Sequence, residues 1–82
     1  MVLLKLDCHK YYMKQIRKIS VGDNLKDSIH YQVGKPANSN SDIKDIVKDK
    51  SYFNVYIITG DEVQLWKSFQ SRVVCHIEYI LD

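Results

Sequence analysis

Residues 52–58, Tyr-Phe-Asn-Val-Tyr-Ile-Ile, are largely apolar in both of their alternating side-chain sets. In a strand, successive side chains point to opposite faces, so Phe53, Val55 and Ile57 go one way and Tyr52, Tyr56 and Ile58 the other. A strand of that kind belongs in the middle of a sheet with both faces covered. The chain has only 82 residues. A domain of that length buries roughly 60% of its unfolded surface, which leaves little apolar material for covering two faces. One face of this segment is therefore expected to be finished by a partner.

The rest of the composition is that of an ordinary folded domain, with 45% hydrophobic and 27% charged residues, unlike the charge-rich, apolar-poor makeup of a disordered tail. No run approaches the roughly 18 apolar residues of a membrane-spanning helix. The opening Met-Val-Leu-Leu-Lys-Leu-Asp becomes charged too soon for a secretory signal. The expectation is a cytoplasmic protein without a membrane partner. Two cysteines, Cys8 and Cys75, fit that compartment, since secreted domains this small usually carry several bridges. Both are expected to be reduced and at least partly buried. Charge is uneven: residues 1–41 hold seven Lys/Arg against three Asp/Glu, about +4, and residues 42–82 hold five against seven, about −2.

Along the chain, Gly34-Lys35-Pro36-Ala37-Asn38-Ser39-Asn40-Ser41 strings turn formers together and reads as a flexible loop over 34–41 within one small domain, 1–82. After it, Ser41 or Asn40 can cap a helix. Asp42 and Asp45 suit its first turn, and Ile43, Ile46 and Val47 recur at helical spacing, so 41–49 is expected to be a short helix. Upstream, Ile29, Tyr31 and Val33 alternate with His30 and Gln32 as in a half-buried strand. Residues 7–18 favour a helix with Lys10, Lys14, Arg17 and Lys18 on one side, and residues 2–6 a short strand. Gly60-Asp61 suits a hairpin turn with a returning strand from Val63, although Val63, Trp66 and Phe69 also fit a helical stripe. The tail from Val73 to Leu81 balances β-branched propensity against helical period, and is read as a strand completing a meander over 52–81. The fold class expected is α+β: four or five antiparallel strands with one or two helices packed on one face.

No chemical constellation stands out. Cys8-His9 and Cys75-His76 could supply four zinc ligands, but adjacent residues on a strand diverge, and structural zinc sites separate paired ligands by two to four residues. Gly34-Lys35 lacks the second glycine and the following hydroxyl of a phosphate loop. Asp61 and Glu62 sit in a turn, where carboxylates are ordinarily solvated. His9, His30 and His76 lie on separate elements without a Ser or Asp companion, and a site built from His76, Glu78 and Asp61 is only a residual reading. No catalytic residue, cofactor or metal is therefore assigned, and the chain is read as a non-enzyme. Two binding readings remain. The first is a small binding protein acting through protein–protein contact on Tyr52, Tyr56, Ile58 and Trp66. It would be an inhibitor or antagonist of a larger host protein, of the accessory type found in phages and mobile elements, or a homo-oligomer. In a strand, Trp66 would share the polar side with Gln64 and Ser68, opposite Val63, Leu65 and Phe69. The second is nucleic-acid binding, in which Lys10, Lys14, Arg17 and Lys18 neutralise phosphates and the interleaved Tyr11 and Tyr12 stack on bases.

Overall fold

The computed structural model describes residues 15–80. Within them the chain forms seven strands: β1 (Ile16–Val21), β2 (Ile29–Gln32), β3 (Pro36–Asn38), β4 (Ser41–Asp49), β5 (Tyr52–Thr59), β6 (Glu62–Gln70) and β7 (Val74–Tyr79). A single 3-10 turn, Ser71–Val73, separates the last two. The strands make two antiparallel sheets, one ordered β2-β1-β7 and the other β3-β4-β5-β6. The α+β expectation is thus corrected. The described residues contain no α-helix, and a second sheet does the covering that helices were expected to do.

One core joins the two sheets. Ile16, Ile19 and Tyr31 come from the three-stranded sheet, and Ile43, Ile46, Phe53 and Val55 from the four-stranded one. Phe53 and Val55 are 1% and 0% exposed. Fully burying side chains of this kind is worth roughly 1.5–3 kcal/mol each. The sheets are also stitched by backbone. After β2, the Val33 amide donates to the Arg17 carbonyl of β1, the Gly34 amide donates to Ile43 of β4, and the Ile43 amide donates to Lys35. The stretch expected to be a flexible loop over 34–41 therefore crosses from one sheet to the other and contains β3. It is ordered by these bonds and by the Asn40 amide donating to the Asn38 side chain.

The helix expected over 41–49 is β4, and its apolar spacing has a specific cause. Pairing with β5 steps from Ile43↔Ile57 to Asp45↔Tyr56, so Lys44 is an extra residue, a β-bulge. The bulge resets the alternation and places Ile43 and Ile46 on the same buried face three residues apart. Three other bulges do likewise. Arg17 is extra in β1 and Cys75 in β7, and Trp66 is extra in β6. They bring Ile16 with Ile19, Val74 with Ile77, and Trp66 with Phe69 onto the core side. The helix expected over 7–18 is likewise corrected where it can be seen: residues 16–18 belong to β1, and residues 7–14, like the strand expected over 2–6, lie outside the described residues.

The hairpin at Gly60-Asp61 forms, with Thr59 paired to Glu62. The meander expected over 52–81 does not continue. The 3-10 turn redirects the chain, and β7 pairs with β1 in the other sheet. Cys75 is exposed, not partly buried, because it occupies the bulge of β7 with its thiol directed at the Ser20 carbonyl, 3.5 Å away.

Candidate interaction surface

β5 is an interior strand, hydrogen-bonded on one side to β4 and on the other to β6. Its inward set, Phe53, Val55 and Ile57, fills the core. Its outward set leads four rows across the sheet: Asp42–Ile58–Val63, Asp45–Tyr56–Leu65, Val47–Asn54–Ser68 and Asp49–Tyr52–Gln70. Neither the second sheet nor any helix among the described residues covers this side. Val63 and Leu65 are 51% and 54% exposed, Tyr52 is 45% and Val47 is 41% exposed. Tyr56 and Ile58 are half-buried by their neighbours in the sheet. The Ser68 hydroxyl bonds the Asn54 side chain within the third row and fixes the polar centre of the face. Six apolar or aromatic side chains on one flat surface exceed the singly scattered hydrophobics normal for a monomer.

Of the four side chains expected to bind a partner, three lie on this face and one does not. Tyr52, Tyr56 and Ile58 are together on β5. Trp66 is on the opposite side. Its bulge turns the indole inward, where it meets the Tyr31 ring edge-on, with centroids 5.9 Å apart and planes at 72°. The Lys67 ammonium lies 5.0 Å from the indole centroid. Val63 and Leu65 take the outward places instead, although strict alternation from Phe69 would have put them with the core. The sequence signal that could have found them was the i, i+3 pair of Trp66 and Phe69, once read as a bulged strand.

Of the basic group, Arg17 and Lys18 are on strand β1 and not on a helix. Lys10 and Lys14 lie outside the described residues. Arg17 is exposed in the bulge of β1, and the Lys18 ammonium is 3.7 Å from the Glu78 carboxylate. Arg17, Gln32, Val33, Tyr79 and Ile80 line an open depression of about 500 Å³ where the two ends of the described chain meet.

The outer face of the three-stranded sheet is polar. Ser20 is fully buried with its hydroxyl 2.7 Å from His30 Nδ1, and His76 Nε2 lies 3.3 Å from Glu78. A hydroxyl without solvent access is not placed to attack a substrate. Asp61 sits in the β5–β6 turn on the other sheet, so it does not join His76 and Glu78. Among the described residues no three His, Cys, Asp or Glu side chains converge as a metal site, and Cys8 and His9 lie outside them. No helix among the described residues is long and apolar enough to cross a membrane.

The chain gives no significant match to protein-family models, to curated proteins or to solved structures. Any functional reading rests on the geometry of these faces.

Proposed function

We propose that the protein is a non-enzymatic binding module that docks another protein on the outer face of β4, β5 and β6. The observation that carries this reading is the row structure of that face. Val47, Tyr52, Tyr56, Ile58, Val63 and Leu65 present apolar area to solvent from a rigid, doubly hydrogen-bonded strand and its two neighbours. Removing such area from water is the main driving force of association, and the surplus over the freedom lost on docking appears as affinity. Tyrosines add large contact area with few rotatable bonds, which is why they recur at the centres of interfaces. A small domain that occupies part of a larger protein in this way acts most simply as its inhibitor or antagonist.

The test is comparative affinity capture with the wild-type chain and a Tyr56→Ser/Leu65→Ser variant, after matched denaturation curves show both to be folded. A protein retained by the wild type and lost by the variant supports the reading. Identical captured sets, or none, would overturn it.

A further inference from the structure

Resting on that reading, we infer that the partner of the outer sheet face is a basic amphipathic polypeptide segment, with apolar side chains along one side and Lys or Arg along the other. The face is not symmetric in charge. β4 places Asp42, Asp45 and Asp49 at the head of three of the four rows, whereas the outward positions of β5 and β6 (Tyr52, Asn54, Tyr56, Ile58, Val63, Leu65, Ser68 and Gln70) carry no charge. Asp61 lies in the adjoining β5–β6 turn, whereas Glu62, paired with Thr59, falls on the inward side by register. None of Asp42, Asp45, Asp49 and Asp61 is in an ion pair among the described residues. Asp45 uses one oxygen to accept the Ile46 amide at 2.9 Å. Lys44 is the exposed extra residue in the bulge of β4, and Lys50 lies in the β4–β5 turn next to Asp49.

This arrangement selects among occupants. An anionic surface, lipid or nucleic acid, would meet the aspartate column at unfavourable charge. A second copy docked face to face would bring six aspartates into one interface, an excess of negative charge even with Lys44 and Lys50 of each copy at its border. A segment with apolar groups over Tyr56, Ile58, Val63 and Leu65 and cations over β4 satisfies both halves. Complementary charges at the edge of an apolar contact mainly fix register and partner choice.

The inference is tested with the full-length, isotope-labelled chain and two short synthetic peptides, one alternating leucine with lysine and the other leucine with glutamate. The expected result is that the lysine peptide shifts amide resonances of β4, β5 and β6 and the glutamate peptide does not. Neutralising Asp42, Asp45 and Asp49 to asparagine should weaken the lysine peptide by about tenfold, since three partly exposed charge pairs are lost together. Equal affinity for both peptides would overturn the basic-partner inference and leave the apolar docking face standing. Resonance shifts confined to other elements would overturn both. Light scattering that shows a dimer dissolved by Tyr56→Glu would replace the basic segment with a second copy, while keeping the face as an interface. Binding of neither peptide to a monomer also overturns the inference.

Discussion

The Tyr31 ring meets the Trp66 indole edge-on, with centroids 5.9 Å apart, and so links β2 at the edge of one sheet to β6 at the edge of the other. Tyr31 also lies 5.1 Å from the Phe69 ring at a 40° tilt. Three rings thus close one side of the core. Because edge-to-face pairs add about 0.5–1.5 kcal/mol beyond their area, a double-mutant cycle of Tyr31→Ala and Trp66→Ala should give a coupling energy of about 1 kcal/mol in urea unfolding. Additive effects of the two substitutions would show that the rings do not hold the sheets together.

Burial of the same tyrosine predicts an alkaline limit to stability. Burial pushes the Tyr31 phenol above its ordinary value of 10.0, since the phenolate is poorly solvated there. The folded state therefore holds this proton to higher pH than the unfolded state. The contribution is complete below the unfolded value and is lost as pH rises through and beyond about 10. Unfolding midpoints measured from about pH 8 to about pH 11 should fall more steeply for the wild type than for Tyr31→Phe. Parallel curves would refute the assignment.

The inner and outer faces of the β5–β6 pair should differ sharply in their response to polar or truncating substitutions. Phe53→Ala removes a ring that is 1% exposed and should cost about 3–5 kcal/mol. That is enough to leave a domain of this size close to unfolded at room temperature. Leu65→Ser, at 54% exposure, should change stability by no more than about 0.5 kcal/mol. Chemical denaturation checks both. A large loss from Leu65→Ser would mean that the outer face is already covered.

Backbone conformation gives a pair of opposite effects. Lys50 opens the two-residue β4–β5 turn with φ 57°, a left-handed conformation that side chains disfavour. Lys50→Gly should therefore stabilise the hairpin by about 0.5–1 kcal/mol. Gly22 has φ 151°, and a Cβ there would lie 2.9 Å from the Ser28 Cα and 3.0 Å from the Asp27 carbonyl. Gly22→Ala should thus destabilise by more than about 1 kcal/mol, and thermal melts of the two variants should move in opposite directions.

How far the sequence disclosed this structure depended on where bulges fall. β5 was legible because its own alternation is unbroken, so Phe53, Val55 and Ile57 separate from Tyr52, Tyr56 and Ile58 as period two requires. β2 and the Gly60-Asp61 hairpin were legible for the same reason, with local turn chemistry in agreement. β4 and the visible part of the helix expected over 7–18 carry helical spacing although both are strands. Ile43 with Ile46, and Ile16 with Ile19, are core pairs three residues apart, and a bulged strand and a helical turn produce the same spacing. Only cross-strand register distinguishes them, and register is a property of the partner strand as much as of the segment itself. The candidate face follows suit: its β5 portion is visible in the alternation, while the bulge at Trp66 reverses the sides that strict alternation gives to Val63, Leu65 and Trp66.

The extra residue at position 66 has a consequence for how such a surface can change. Deleting it would leave Lys67 opposite Val55 and Leu65 opposite Tyr56 in an unbroken ladder, so Val63 and Leu65 would keep their outward places. What would vanish is the indole that meets Tyr31. The greasy exterior is thus insulated from a one-codon deletion at this point, and the seam between the two sheets is not.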